Sequence, residues 1–142
     1  MRFLLDTNII RNVTKPTPSE ALLAWMADQA DEDLCISSLT VAEIRRGVLE
    51  KPAGKRRRDL EAWFFGPEGP QALFAGRVLP FDEEAGLVWA ELMADGRARG
   101  RPRSALDTII AATAKANDCI VVTDNEKDFE GVETINPLKA FE

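Results

Sequence analysis

Histidine is absent from the 142-residue chain, and this single gap excludes zinc sites built on imidazole as well as serine–histidine triads. Catalysis, if there is any, must come from carboxylates, hydroxyls, lysine or arginine. Cysteine is scarce. Cys35 and Cys119 each sit in an apolar run, Leu34-Cys35-Ile36 and Cys119-Ile120-Val121-Val122, where a thiol behaves as a small buried hydrophobe, so reduced core residues are expected. No apolar stretch approaches the roughly 20 residues that a membrane span requires. The opening Met1-Arg2-Phe3-Leu4-Leu5-Asp6 reaches an acid too soon to be a secretory signal. A cytoplasmic protein with no membrane association is expected. Internal repeats and low-complexity tracts are also lacking.

What is present describes a globular chain, 45% hydrophobic and 30% charged, of a length that suits a single domain over residues 1–142. The net charge of −6 argues against a polyanionic partner. That objection has a local answer, because the positive charge is blocked. Lys51, Lys55, Arg56, Arg57 and Arg58 read as a solvated helix face. Arg97, Arg99, Arg101 and Arg103 alternate with Gly96, Gly100 and Pro102 on the approach to Asp107, and are candidates for phosphate contacts.

Periodicity predicts short buried strands at Phe3–Leu5, Leu34–Ser37, Val78–Leu79 and Cys119–Thr123, with an edge strand at Glu133–Ile135. Between them, Ser19 caps a helix running to about Ala30, and a helix from Thr40 carries Val41, Ile44 and Val48 on one face. Further helices are expected over Lys55–Phe65, from Asp82, and over Ser104–Asn117 with Leu106, Ile109, Ile110 and Thr113 facing inward. Gly66-Pro67-Glu68-Gly69-Pro70 reads as a loop. Strands alternating with helices indicate an α/β fold whose central, mostly parallel sheet has four to five short strands flanked by helices.

Against this layout the acids fall in a pattern. Asp6 ends the first strand, Glu43 follows the second, Asp107 opens the helix before the fourth, and Asp124 to Asp128 follow that strand. Carboxyl ends of parallel strands form the crevice where ligands bind, so these acids can meet. Clustered carboxylates repel unless a cation neutralises them, and oxygen-only ligands select Mg²⁺ or Mn²⁺. Such an ion activates water and stabilises charge on a phosphodiester, which is nuclease chemistry. Asp6 and Asp107 are the expected direct ligands, with Glu43 as a further ligand, through water, or as general base. Thr7, Asn8 and Thr123 are polar neighbours able to orient waters and carboxylates. Each acid also has an ordinary reading: Thr40–Glu43 and Ser104–Asp107 have capping-box spacing, Asp6 suits an N-cap, and Asp124 or Asn125 suits a turn that Phe129 would anchor. Trp25, Trp63 and Trp89 read as core residues, with interface contact as the alternative.

Four segments carry a family resemblance: Phe3-Leu4-Leu5-Asp6-Thr7-Asn8, Ser38 to Gly47, Ala105 to Ala112, and Val121 to Phe129. Together they resemble the PIN-domain ribonucleases, and most of all the VapC-type toxins of type II toxin–antitoxin systems in the FitB-like branch, to which Pro80-Phe81-Asp82 and Asn136-Pro137 also correspond. The resemblance implies a PIN-like domain and an endoribonuclease that uses Mg²⁺ or Mn²⁺. Expected partners are RNA as substrate, a cognate antitoxin, a second copy in a homodimer, and operator DNA only through the antitoxin. Asp6, Glu43 and Asp107 correspond to the family's acidic triad and Asp128 to its later acid, with Asn125 beside it. Asp124 departs from the branch, which commonly has a basic residue there, and Gly66–Gly69 looks like an insertion. A non-catalytic binding protein of the same fold is the alternative. A phosphoryl-transfer receiver fits poorly, since Asp6-Thr7-Asn8 lacks the paired early acids of such systems.

Overall fold

Strands that are apolar at every position must be covered on both faces, and this requirement sets the architecture. In the computed structural model, which describes residues 1–139, β1 (Arg2–Leu5), β2 (Leu34–Ser37), β3 (Val78–Leu79), β4 (Cys119–Val122) and β5 (Thr134–Ile135) form one parallel sheet in the order β3-β2-β1-β4-β5. Leu4 lies opposite both Cys35 and Val121, so three strands share one register. Side chains alternate between faces: Phe3, Leu5, Leu34, Ile36 and Val122 enter one core, and Leu4, Cys35, Cys119 and Val121 the other.

The first core is closed by α1 (Thr7–Val13), α2 (Glu20–Ala27), α3 (Ser38–Leu49) and α4 (Lys55–Phe65), which contribute Ile9, Leu22, Ile44 and Phe64. After the short α5 (Pro70–Leu73) and β3, the chain crosses to the second core. There α6 (Glu83–Ala98) and α7 (Ala105–Ala116) supply Leu92, Ile110, Ala111 and Ala114. The helix-rich middle is therefore three consecutive elements on one face followed by a crossover. Among the described residues no helix is long and apolar enough to cross a membrane.

Several expectations hold in detail. Ser19 caps α2 and Asp82 caps α6 through side-chain acceptors to Leu22 N and Ala85 N, at 3.3 and 3.0 Å. Both cysteines are free and buried on the strands that flank β1. Trp25 meets Phe3 edge-on at 4.9 Å, Trp63 packs on the first core, and Trp89 packs on the second while donating to the Ala105 carbonyl at 3.2 Å. On α4, Lys55–Asp59 and Arg57–Glu61 are paired one turn apart, as a solvated basic face requires.

Other expectations need correction. Residues 7–13 are helical, and α2 ends at Ala27 rather than near Ala30. The Gly66–Pro70 loop runs directly into α5, because Pro70 occupies that helix's first turn, where its missing N–H costs nothing. The edge strand is Thr134–Ile135, with Glu133 outside it. Leu106 is 47% exposed: the buried residues of α7 begin at Thr108 and run to Ala114, so its first turn stands outside the core.

Candidate active site

The sheet order places a topological switch point at its centre. From β1 the chain moves one way through β2 and β3, whereas β4 and β5 lie on the other side, so a crevice opens beyond the carboxyl ends of β1 and β4. Leu5 pairs with Val122, and the next residue along, Asp6, donates its N–H to the Val122 carbonyl at 3.0 Å.

Asp6 is fixed twice. As N-cap of α1 its Oδ1 accepts from Asn8 N at 2.5 Å, and its Oδ2 accepts from the Thr123 hydroxyl at 2.5 Å. Thr123 itself is fully buried and accepts from Asn125 N at 3.0 Å, which links the end of β4 to the following turn. Capping and functional placement of Asp6 are thus the same arrangement. Burial raises the Asp6 pKa; the bonds from Thr123 and Asn8 oppose that rise, and the charges of Asp124 and Asp107 add to it.

Glu43 is not a capping residue. Ser37, the last residue of β2, caps α3 by accepting from Thr40 N at 3.0 Å, which leaves Glu43 in the helix's second turn. Thr7 Oγ1 donates to Glu43 Oε1 at 2.8 Å and lies 3.0 Å from Thr40 Oγ1, which lies 3.2 Å from Ser37 Oγ. A hydroxyl has one proton, and that of Thr7 is spent on the carboxylate. Thr40 must therefore donate to Thr7, and Ser37 to Thr40. The result is a buried one-way relay that ends on Glu43.

Asp107 stands in the first turn of α7, where its N–H is capped by Ser104 Oγ at 3.3 Å. Its half-buried carboxyl has a raised pKa, caused first by burial and then by Asp128 and Glu43, against a lowering contribution from the Ser104 hydroxyl. Asp128 lies in a 3-10 turn, Glu126–Phe129, that Phe129 pins into the second core at 2% exposure. The Asn125 side-chain amide donates to the Asp128 carboxylate and holds it toward Asp107.

Asp6, Glu43, Asp107 and Asp128 thereby line one narrow cleft of about 60 Å³, with Thr7, Asn8 and Asn125 in its walls. Asp124 is exposed and outside that lining, though close enough for its charge to act on Asp6. The basic block divides. Arg99, Arg101 and Arg103 line a groove of about 530 Å³ that shares Asp107 and Asp128 with the cleft, whereas Arg97 is not in its lining.

Sequence reasoning missed Arg11, which enters the cleft wall from α1, and Lys115 and Lys127, which line the groove. Arg11 is one helical turn from Thr7 and would have been visible had the α1 helix been foreseen. No local signal marks the two lysines.

The donor set suits a hard divalent cation: four carboxylates, no imidazole or thiolate, and no ion pair to any of the four among the described residues. Among those residues no group of three acidic or thiol side chains stands ready to hold an ion unaided.

Comparison with known proteins agrees with this geometry. The chain is 43% identical over 136 residues to VapC ribonuclease Y4jK of Sinorhizobium fredii, covering 94% of this chain and 96% of the relative. It is 37% identical to Toxin FitB of Neisseria gonorrhoeae, covering 89% of each. The solved structure of FitAB bound to an IR36 DNA fragment superposes with a TM-score of 0.87 at 36% identity, covering 96% of this chain and 95% of that one. The PIN domain family model matches residues 3–134, from the first buried residue of β1 to the first residue of β5, and a match that reaches all five strands and every acid of the cleft makes this chain a member of the PIN-domain family.

Proposed function

We propose that the chain is a metal-dependent endoribonuclease, the toxin of a type II toxin–antitoxin pair, which hydrolyses phosphodiester bonds of cytoplasmic RNA. The observation that carries this reading is the convergence of Asp6, Glu43, Asp107 and Asp128, none in an ion pair among the described residues, on one cleft at the sheet's switch point. The names of two relatives, a VapC ribonuclease and a toxin, support it. The FitAB complex with DNA supports a cognate antitoxin as partner, with operator DNA reached through that antitoxin. A homodimer belongs to the same proposal.

Bound Mg²⁺ or Mn²⁺ supplies a more acidic water and offsets charge on the scissile phosphate. Asp6 and Asp107 would hold such an ion, and Asp128, its carboxylate held by the Asn125 amide, would stand beside them in the same cleft. Glu43, its rotamer set by Thr7, takes the proton of the attacking water. Asp6 enters this work already oriented by Thr123 and Asn8 N, so little rearrangement is needed.

The purified chain is expected to cleave RNA with Mg²⁺ or Mn²⁺ and not with EDTA, and Asp6→Asn or Asp107→Asn is expected to abolish cleavage. Metal-independent cleavage that survives both changes overturns the mechanism. An absence of Mn²⁺ binding in calorimetry points instead to a non-catalytic binding protein of the same fold.

A further inference from the structure

The cleft that gathers the four acids has a single cationic residue in its lining, Arg11. Carboxylates so close draw a guanidinium into salt bridges, yet Arg11 is exposed and has neither an ion pair nor a side-chain hydrogen bond among the described residues. The acids are held by neutral donors instead: Asp6 by Thr123 and Asn8 N, Glu43 by Thr7, and Asp128 by Asn125. Arg11 is therefore not the counter-ion of the cluster. Its guanidinium N–H groups are open to an anion that enters the cleft.

The α1 helix sets this position. Thr7 opens the helix and Arg11 follows it by four residues, so the two lie on one face, one turn apart. Arg11 also lines a second cavity of about 400 Å³, walled by Ile10, Ile44, Val48, Leu60 and Trp63. A residue that belongs to both walls can lay its aliphatic stem along the apolar one and keep its charge at the acidic one, as long cationic side chains do. As a basic residue in the last turn of α1 it also suits that helix's negative end, but this benefit requires no place in the cleft wall.

We propose that Arg11 is a further catalytic residue, which binds the non-bridging oxygens of the scissile phosphate and stabilises the charge that builds there during hydrolysis. The inference rests on the ribonuclease reading and adds a residue to it. A water oxygen bonds to phosphorus as one bridging P–O bond breaks; Glu43 takes the water's proton, and the leaving oxygen takes one from solvent. On the way, the phosphoryl oxygens gain negative charge while facing four carboxylates. An uncommitted guanidinium at that point opposes the repulsion, and its planar fork can meet two oxygens at once. Because the charge is larger in the transition state than in the bound substrate, the contact lowers the barrier more than it tightens binding.

The test is single-turnover cleavage of an end-labelled RNA pool of random sequence in Mn²⁺, with Mn²⁺ affinity measured by calorimetry on the same proteins. Arg11→Gln is expected to lower the maximal rate about 100-fold while the half-saturating protein concentration stays within about threefold of the parent's. Arg11→Lys, which keeps the charge without the fork, is expected to recover part of that loss. Mn²⁺ should bind Arg11→Gln at least as tightly as the parent, since a positive charge beside the acids is gone. Lys51→Gln, in the second cavity but outside the cleft lining, is expected to change neither rate nor affinity. An equal loss of rate in Lys51→Gln overturns the proposal, because overall charge is then the cause. Weaker Mn²⁺ binding that accounts for the slower rate of Arg11→Gln also overturns it, because the effect then passes through the ion. If the parent cleaves and Arg11→Gln cleaves as fast, only the role of Arg11 fails. If the parent does not cleave, the ribonuclease reading fails and this role with it.

Discussion

Asp6 is under two opposed demands. The residue is 5% exposed and its carboxyl has a raised pKa, so the ionised form is disfavoured in the metal-free fold, yet that form is the one the proposed cation would need. Asp6→Asn should therefore stabilise the metal-free protein by about 1 kcal/mol, or about 3 °C in a domain of this size, while cleavage is lost. Thermal unfolding in EDTA checks the first half, and a lower midpoint would contradict it. The relay to Glu43 makes a separate prediction. Thr40→Val keeps the shape but leaves the hydroxyls of Ser37 and Thr7 without their shared partner, so kcat should fall about tenfold at unchanged KM, and Thr40→Ser should restore it. At this scale Asp6 and Asp107 were legible because strand ends and helix starts are visible as changes of period. The capping-box alternative for Glu43 was wrong because the cap comes from Ser37, inside the apolar run of β2, and spacing alone cannot choose between two hydroxyls. The convergence of Asp128 on the cleft depends on Phe129, whose burial orients the whole turn.

Elements were legible where periodicity had length to act on, and less so at corners. β1, β2 and β4 stood out because each has at least three consecutive apolar residues, and α7 because its apolar residues recur at the helical period. The α1 helix did not, since seven residues so close behind a strand leave little room for a pattern, and its N-cap, Asp6, is the one residue between that strand and the helix. The same applies to α5, where Gly-Pro punctuation hides one helical turn. Gly69 shows how tight that corner is: a Cβ there would lie 2.1 Å from the Phe64 carbonyl oxygen and 2.5 Å from that of Trp63. These are backbone atoms that cannot swing aside. Gly69→Ala should accordingly cost about 2–3 kcal/mol through displacement of α4 from the first core, measurable as a lower urea midpoint. Gly47 has no atom within 4 Å of such a Cβ, so Gly47→Ala in the last turn of α3 should instead be stabilising by about 0.5–1 kcal/mol. The contrast separates a glycine required by packing from one that packing does not require.

For the molecule as a whole, the four cleft carboxylates form no ion pair among the described residues, although Arg11 stands in the cleft wall. The adjoining groove brings five cations, Arg99, Arg101, Arg103, Lys115 and Lys127, to face five carboxylates, so its local charge is far more balanced than the net −6 of the chain. The raised pKa values of the cleft acids fix how stability depends on pH. Asp6 and Asp107 have folded pKa values above the ordinary aspartate value of 3.8, so the metal-free fold binds protons more tightly than the unfolded chain. Their stabilising contribution is complete below that ordinary value and is lost as pH rises through the raised folded values. Asp59, held low by Lys55, has the opposite sign, but both groups are fully exposed and screened. A divalent ion reverses the behaviour of the cleft, because it requires the ionised carboxylates and competes with protons for them. At a hundredfold excess over its Kd, Mn²⁺ should add about 2.7 kcal/mol at neutral pH, and this gain should shrink as pH falls into the carboxylate range. Unfolding midpoints with and without Mn²⁺ should thus converge on acidification. In the double variant Asp6→Asn, Asp107→Asn they should coincide at every pH, and a metal-induced shift that persisted there would place the ion on other groups.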